Sequence, residues 1–262
     1  MLTAAIALPL LILLVHKGTY LQFSCFVLVL SLLGLDEFYR MALAGRKSLG
    51  RTASLAGTLL PLCFLSPDHP LILPAMTFLI ISFALYFLFT FREMKTATME
   101  LSLLCLGLFY VPLLLAHLQM LRGLAHGQQW IFLLMVIVMA GDTGAFYVGS
   151  NLGRKKLCPL VSPKKSVEGA IGGLAGSFIG ALIAKFTFFP ELTMADSLVM
   201  ALLLGTLGQL GDLFESFLKR SFGVKDSGVI FPGHGGVLDR LDSILFAAPA
   251  AFYYATYIFS PK

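Results

Sequence analysis

Residues 128–149 read QQWIFLLMVIVMAGDTGAFYVG, and this stretch decides the class of fold. Its apolar run is continuous, which favours a helix over a barrel strand that alternates apolar and polar residues. At about 1.5 Å per residue, a helix of this length crosses a hydrocarbon core roughly 30 Å thick. The stretch also carries one acid, Asp142. An ionisable group inside a membrane helix is costly, so this residue is a candidate for function.

The whole chain has the composition of a polytopic membrane protein. Of its 262 residues, 58% are hydrophobic and only 13% are charged, and the mean hydropathy is +0.87. A soluble domain of this length needs far more polar surface. The net charge of +5 is explained by basic loops and does not indicate a nucleic-acid partner. The four cysteines form no CxxC pair, which argues against a disulfide framework and a zinc site.

We predict an all-α fold with about nine transmembrane helices. The predicted spans are residues 2–16, 19–35, 52–66, 71–91, 99–120, 128–149, 167–188, 195–218 and 240–259. The loops after the even-numbered spans hold fifteen Lys and Arg residues, whereas the loops on the other side hold three. By the positive-inside rule, the basic side is cytoplasmic, and so is the N-terminus.

The chain divides chemically into two regions. Residues 1–130 are predicted to be N-terminal transmembrane scaffold helices, and residues 131–262 to be the catalytic region, because they hold most of the glycine, lysine and intramembrane acid. Gly172, Gly176 and Gly180 recur at every fourth position of the seventh predicted span. This spacing indicates a smooth stripe at which two helices pack closely.

Acids and cations occur together at the predicted cytoplasmic ends of the last two spans. Asp212 shares one helix face with Glu215, and Lys219 continues that face one turn later. The segment 239–242 holds two further acids and an arginine. Carboxylate oxygens suit Mg²⁺, which binds through one or two protein carboxylates plus substrate phosphates, and Lys and Arg suit phosphate oxygens. The pattern indicates phosphoryl or nucleotidyl transfer at the membrane surface.

Two loop segments have the composition of a phosphate site. Residues 151–156 and 162–169 combine glycine with lysine, and together they could hold a triphosphate. Neither is a Walker A motif, so a P-loop fold is not implied. Pro163 and the residues after it are predicted to begin the seventh helix, which places Ser166 and Glu168 near a helix N-terminus that favours anions. Glu168 is interpreted equally well as an acid that only stabilises the helix dipole.

The most specific stretch is residues 216–242, which read SFLKRSFGVKDSGVIFPGHGGVLDRLD. It resembles the signature of the phosphatidate cytidylyltransferase (CDP-diacylglycerol synthase) family. Residues 141–149, GDTGAFYVG, are similar to a second block of that family, with Phe146 where tyrosine is more usual. Residues 162–169, SPKKSVEG, are similar to a third block, in which Ser166 replaces threonine and keeps the hydroxyl. The resemblance is strongest over residues 140–245.

The resemblance implies that CTP and phosphatidic acid react to give CDP-diacylglycerol and pyrophosphate, as a step of phospholipid biosynthesis. It also implies dependence on Mg²⁺, with room for a second cation. The expected catalytic residues are Asp142, Asp212, Lys219, Arg220 and Asp239. The expected substrate-binding residues are Ser162, Lys165, Ser166, Ser216, Lys225, His234, Gly235, Gly236 and Arg240. The expected metal ligands are Asp212, Asp239 and Asp242.

Three further expectations concern alternatives and surroundings. The alternative function is another CTP-dependent lipid enzyme of the polyprenol kinase type, although the His-Gly-Gly and Asp-Arg-Leu-Asp blocks weigh against it. A transporter is disfavoured because its acids would be spread through the depth of the membrane. We expect an integral protein of a bacterial plasma membrane, surrounded by lipid and with its site facing the cytoplasm. A homo-oligomer is left open.

Overall fold

The computed structural model of this protein describes residues 2–65, 71–91, 93–230 and 235–260, with side chains described from residue 8 onward. The predicted helical architecture is confirmed, and the helix positions agree closely with the apolar runs. The helices are α1 (Leu2–Lys17), α2 (Tyr20–Ala42), α3 (Lys47–Gly57), α4 (Leu59–Leu62), α5 (Ile72–Thr90), α6 (Met94–Leu108), α7 (Leu114–Gly123), α8 (Gly127–Leu152), α9 (Val167–Thr187), α10 (Met194–Ser221) and α11 (Leu238–Tyr257). A π-helical turn at Phe109–Leu113, which contains Pro112, joins α6 to α7.

The count of nine spans is not confirmed. Within the described ranges, six helices are long and apolar enough to cross a membrane: Tyr20–Ala42, Ile72–Thr90, Met94–Gly123, Gly127–Leu152, Val167–Thr187 and Met194–Ser221. The predicted span 52–66 is divided between α3 and α4. Its helix breaks because Pro61 has no N–H to donate to the Gly57 carbonyl and its ring crowds that carbonyl. The six apolar helices make this an integral membrane protein.

A small β-hairpin corrects the prediction at Pro163. Strands β1 (Lys156–Cys158) and β2 (Ser162–Ser166) pair in antiparallel register, with Lys156 opposite Ser166. Pro163 therefore lies in a strand and does not begin a helix. The helix begins only at Val167, because Ser166 keeps an extended backbone and its hydroxyl accepts a hydrogen bond from the Gly169 N–H.

The chain forms two compact units. Unit 1 comprises Met1–Met120 and Asp226–Asp239, and unit 2 comprises Leu121–Lys225 and Arg240–Lys262. The segment 226–239 therefore belongs to the unit built by the N-terminal helices, although it lies late in the chain. The predicted division into scaffold helices (residues 1–130) and a catalytic region (residues 131–262) describes where the catalytic residues lie and not how the chain packs. It stays a prediction.

In unit 1, the α3–α4 pair runs back along α2 from one end to the other. Arg46, which precedes α3, forms an ion pair of 2.6 Å with Glu100 of α6. Beyond α3, the Gln119 amide donates to the carbonyl oxygens of Pro61 (3.1 Å) and Ser24 (3.3 Å), near the start of α2. The α2–α3 and α5–α6 connections therefore lie at the same end of unit 1, as the distribution of basic loops requires.

In unit 2, the predicted glycine stripe is a packing surface between α8 and α9. A Cβ atom added to Gly144 would lie 3.3 Å from the Gly176 Cα, and one added to Gly169 would lie 3.1 Å from the Gly149 Cα. These distances leave no room for side chains. The two backbones approach as closely as glycine permits, which confirms the packing interpretation.

Candidate active site

A cavity of about 520 Å³ lies in unit 2 between α8, α9, α10 and the β-hairpin. Its wall combines two acids, three lysines, a glutamine and two hydroxyl groups with apolar and glycine surface. The lining residues are Asp142, Ala145, Phe146, Gly149, Ser150, Lys156, Leu157, Lys164, Lys165, Ser166, Gly169, Ala170, Gln209 and Asp212. Residues from both predicted phosphate segments and from the second family block thus meet in one place.

An ion pair between Lys165 and Asp212 forms the polar centre of this cavity. The Lys165 Nζ lies 2.6 Å from the Asp212 Oδ2, joining strand β2 to helix α10. The pair is half-buried, since 25% of the lysine side chain and 32% of the aspartate side chain are exposed and the Lys165 Nζ itself is buried. Both side chains line the cavity, so a rotation of the flexible lysine side chain would bring its ammonium to an anionic ligand there.

Three further charges surround this pair, and we call the five residues the acid–cation cluster. Asp142 of α8 interacts electrostatically with Asp212, Lys165 and Arg240. Asp242 of α11 interacts with Asp212, Asp142 and Lys165. Three acids from three helices thus share two cations. The structure brings together Asp142, Asp212 and Asp242. The metal role predicted for Asp212, Asp239 and Asp242 stays a prediction.

Gly211 explains how α10 and α11 approach closely enough to build the cluster. A Cβ atom on Gly211 would collide with the Asp242 carbonyl oxygen and lie 3.3 Å from the Phe246 Cβ. Any side chain at this position would push the two helices apart. The glycine immediately before Asp212 therefore allows Asp212 and Asp242 to face one another.

The first turn of α9 is held by its own polar residues. The Ser166 hydroxyl accepts from the Gly169 N–H at 3.1 Å and is 5% exposed. The Glu168 carboxylate accepts from the N–H groups of Arg154 (3.0 Å) and Lys155 (3.2 Å). Glu168 thus fixes the backbone that leads into the hairpin. The hydroxyl contact expected of Ser166, and that expected of Ser162 on β2, stay predictions.

The cations after Asp212 on α10 have local partners. Lys219 forms an ion pair with Glu215, a side chain that is 1% exposed. Arg220 donates to the Val224 carbonyl at 3.1 Å and closes the turn after the helix. Ser216 is half-buried and Lys225 is exposed. Their predicted contacts with phosphate stay predictions.

The signature segment 226–239 is organised in unit 1 by Asp239. The Asp239 Oδ2 accepts from the Gly236 N–H (2.7 Å), the Ser227 N–H (2.9 Å) and the Ser227 hydroxyl (2.9 Å). Gly235 has a φ of +80°, which a residue with a side chain rarely adopts. His234 lies outside the described residues. The roles predicted for His234, Gly235, Gly236 and Asp239 in binding and catalysis stay predictions.

Glu37 of α2 is the polar residue that the sequence analysis missed. It is 3% exposed and accepts hydrogen bonds from Ser227, Val237 and Leu238 of the same unit. The predicted span ended at residue 35, so Glu37 was placed in a loop. The helix continues to Ala42, and an acid inside a membrane helix is the signal that would have identified it.

The donor set suits a magnesium ion that is completed by substrate. In the part of the chain that the structure describes, no group of three His, Cys, Asp or Glu side chains could hold a metal ion by itself. Mg²⁺ commonly uses one or two carboxylates, with waters and phosphate oxygens as its other ligands. Asp212 with Asp142 or Asp242 offers such a set beside a cavity lined by three lysines.

A helical membrane protein with an acid–cation cluster facing such a cavity belongs to the class of enzymes that act on phosphate groups at a membrane. A model of the cytidylyltransferase family matches residues 1–258. The chain therefore belongs to the cytidylyltransferase family and is a nucleotidyltransferase. The resemblance seen in residues 140–245 is confirmed and extends over nearly the whole chain.

Individual relatives agree with the family match. The chain is 35% identical over 259 residues to the phosphatidate cytidylyltransferase of Bacillus subtilis (strain 168), covering 96% of this chain and 95% of the relative. It is 35% identical over 257 residues to the enzyme of that name from Staphylococcus aureus (strain COL), covering 95% of each chain. It is 34% identical over 250 residues to that of Staphylococcus haemolyticus (strain JCSC1435), again covering 95% of each.

Proposed function

We propose that this protein transfers the cytidylyl group of CTP to phosphatidic acid, forming CDP-diacylglycerol and pyrophosphate for phospholipid biosynthesis. The observation that carries the proposal is the Lys165–Asp212 pair, which lies within a larger charge cluster and lines a cavity built by two family blocks. The relatives named phosphatidate cytidylyltransferase, which match over nearly their full length, support the choice of substrates.

The reaction needs charge stabilisation more than proton transfer. A phosphatidate oxygen forms a bond to the α-phosphorus of CTP, the bond from that phosphorus to the bridging oxygen breaks, and pyrophosphate leaves with the electron pair. A phosphomonoester has a second pKa of roughly 6, so the nucleophile is already largely dianionic near neutral pH. The protein therefore has to align the two anions and neutralise the charge on the leaving pyrophosphate.

The cations at the cavity fit this requirement. Lys165 would bind phosphate oxygens in place of its present partner, and Lys156 and Lys164 of the hairpin face the same cavity. Arg240 adds a guanidinium, whose planar group of N–H donors suits two phosphate oxygens at once. Lys219, Arg220 and Lys225 would add positive charge at the end of α10. These residues orient CTP and draw the phosphatidate head group toward it.

The acids fit a divalent cation that arrives with the nucleotide. Asp212, with Asp142 or Asp242 beside it, would hold Mg²⁺. The ligand role of Asp239 stays an expectation of the family resemblance. Such an ion, when bound, neutralises phosphate charge and polarises the α-phosphorus. The three clustered acids also leave room for the second cation that the family resemblance allows.

The site is proposed to face the cytoplasm of a bacterial plasma membrane. CTP is a soluble anion, whereas the phosphatidate head group lies at the membrane interface. Fifteen of the nineteen Lys and Arg residues lie in loops of one predicted side, including all those of the hairpin and of the α10–α11 connection. Exposed apolar side chains on α5, such as Leu73 and Phe89, suit contact with the lipid that carries the second substrate.

CTP labelled at two positions tests the reaction in purified protein in lipid–detergent micelles. We expect label from the α-phosphorus to enter the lipid only when phosphatidic acid is present, and label from the γ-phosphorus to appear in pyrophosphate. A CTP-dependent lipid kinase gives the opposite result, because it moves the γ-phosphoryl group to a polyprenol and releases CDP. Label from the γ-phosphorus in lipid, or no transfer to phosphatidic acid by folded protein, would overturn the proposal.

A further inference from the structure

Glu37 is a buried carboxylate that lies far in sequence from every residue it binds. Its side chain is 3% exposed, on the last turns of α2 in unit 1. Its Oε1 accepts from the Val237 N–H at 2.9 Å, and its Oε2 accepts from the Leu238 N–H at 2.9 Å and the Ser227 hydroxyl at 3.0 Å. Both oxygens of the carboxylate are thus engaged by the signature segment 226–239.

Two of these partners lie at the start of α11: Leu238 is its first residue and Val237 immediately precedes it. The first N–H groups of a helix have no partner within the helix, and they carry the positive end of its dipole. A carboxylate that accepts from Val237 and Leu238 satisfies two such donors with charge-assisted hydrogen bonds. A helix cap is usually supplied by a residue next to the helix. Here Glu37 supplies it from a position 201 residues away from Leu238.

The signature glycines lie against this carboxylate. A Cβ atom on Gly228 would lie 2.8 Å from the Glu37 Cδ, and one on Gly236 would lie 2.5 Å from the same atom. Both distances are far shorter than real contacts, so neither position tolerates a side chain. The backbone of the segment therefore passes directly over the Glu37 carboxylate on two sides, and two of its glycines are explained by this close approach.

Ser227 lies between the carboxylates of Glu37 and Asp239, and its single hydroxyl proton is donated to one of them at a time. Its hydroxyl oxygen lies 3.0 Å from the Glu37 Oε2 and 2.9 Å from the Asp239 Oδ2. Asp239 in turn accepts from the N–H groups of Ser227 and Gly236. The two ends of the segment, at residues 227 and 236–239, are therefore fastened to one another and to α2.

We propose that Glu37 is a positioning residue for cytidylyl transfer, which anchors the signature segment and fixes the first turn of α11. This inference rests on the proposed function. Arg240 and Asp242 follow Leu238 within about one helical turn, so a displacement of the helix start is transmitted along the backbone to both. Glu37 acts through the segment, because its two oxygens are occupied by protein donors. It is distinct from the groups expected to contact phosphate or metal.

Glu37→Gln tests the anchor, with Asp36→Asn as its matched control. Both variants remove one negative charge from adjacent residues of α2, but Asp36 forms its ion pair with the exposed Arg40, one turn along the same helix. In Glu37→Gln the amide nitrogen faces an N–H donor of α11, so one hydrogen bond is replaced by repulsion. We expect kcat to fall about 10- to 100-fold because catalytic groups are misplaced. The KM for CTP should change less than about threefold, since uniform binding is kept.

Hydrogen exchange of the peptide that covers residues 226–239 supplies a readout that does not depend on turnover. We expect faster exchange of this peptide in Glu37→Gln, no change in Asp36→Asn, and partial recovery of both kcat and protection in Glu37→Asp, which keeps the charge. Faster exchange with wild-type kcat would overturn the positioning role. Unchanged exchange in Glu37→Gln would overturn the anchor itself.

Ser227→Ala carries the test if Glu37→Gln does not accumulate as folded protein. It removes one of the three donors to Glu37 and is expected to speed exchange and lower kcat by about three- to tenfold, in keeping with the loss of one hydrogen bond. Wild-type kcat in Ser227→Ala would overturn the proposal. Absence of cytidylyl transfer in the wild type would instead overturn the proposed function, while the exchange comparison would still test the anchor.

Discussion

The acid–cation cluster of unit 2 and the Glu37 side chain of unit 1 both provide carboxylates in a helical membrane protein, but the partners of these carboxylates differ. Asp212 is 32% exposed and pairs with a lysine side chain beside a cavity of about 520 Å³. Glu37 is 3% exposed, and its oxygens accept from two backbone N–H groups and a hydroxyl. Gly228 and Gly236 pack directly against its carboxylate and leave no space there. The first carboxylate can exchange partners, whereas the second cannot.

This difference separates a reacting group from an anchoring group. A flexible cation that neutralises an acid can turn to a phosphate when substrate arrives, because a lysine side chain has several rotatable bonds. Backbone donors cannot turn away, and a buried carboxylate that loses them pays the full cost of desolvation. The comparison therefore predicts that substitutions in the acid–cation cluster abolish turnover without disturbing structure. Substitutions at Glu37 should instead loosen the signature segment 226–239.

The largest effect is expected at Asp212. Asp212→Asn should lower kcat by about 10³-fold or more, because it removes charge from the centre of the cluster where the reacting phosphates are stabilised. The change keeps the size of the side chain, so the thermal midpoint in detergent should stay close to that of the wild type. Label transfer from CTP to lipid measures the first quantity. Near wild-type turnover would show that the reaction is not centred on the Lys165–Asp212 pair.

Removal of divalent cations is expected to have the next largest effect. Chelation by EDTA should lower turnover by at least about 100-fold, since the proposed metal supplies several kcal/mol of charge stabilisation. Added Mg²⁺ should restore it fully, and the elution volume in detergent should show that the protein stays intact throughout. If turnover persists in EDTA, the acids of the cluster form ion pairs only and do not hold a catalytic metal.

A smaller effect is expected at Gly236, which packs against the Glu37 carboxylate. Gly236→Ala places a methyl group against the Glu37 carboxylate and should destabilise the protein by about 1–3 kcal/mol through overpacking. Gly45→Ala is the control, since nothing lies within 4 Å of its added Cβ, and it should change stability by less than about 0.5 kcal/mol. Denaturation midpoints in detergent compare the two. Equal midpoints would remove the packing argument for Gly236.

The smallest effect is expected at Phe146. This residue lines the cavity, is 69% exposed and lies in the second family block. Phe146→Tyr adds one hydroxyl to an accessible ring and should leave kcat/KM within about twofold, a range typical of surface changes. Steady-state label transfer measures it. A large gain would indicate that the phenol has a partner on the substrate.

The helices were predictable from the sequence because the bilayer requires every backbone group within it to be bonded internally. The apolar runs therefore located most of the predicted helices, although six of them are long and apolar enough to span a membrane in the described ranges. Helix α2 continues to Ala42 beyond its predicted end at residue 35, and the predicted span 52–66 breaks where Pro61 interrupts it. The hairpin at 156–166 was missed because its strands are short and rich in lysine, with no apolar alternation. Short polar strands of this kind are determined by the packing around them.

The site was predictable where its residues repeat along one helix. Asp212, Glu215 and Lys219 follow helical spacing, so their common face could be read directly. The anchor could not be read in this way, because Glu37 and Val237 are 200 positions apart. Local patterns identify a polar group, but only the fold shows whether its partner is a cation beside a cavity or a backbone amide.

The most direct test of this account measures turnover and hydrogen exchange on the same preparations of Asp212→Asn and Glu37→Gln. We expect Asp212→Asn to lose label transfer from CTP to phosphatidic acid while the peptide covering residues 226–239 exchanges at the wild-type rate. We expect Glu37→Gln to lose part of its turnover together with the protection of that peptide. Wild-type turnover in Asp212→Asn, or faster exchange of residues 226–239 in that variant, would contradict the division between a reacting cluster and an anchoring carboxylate at Glu37.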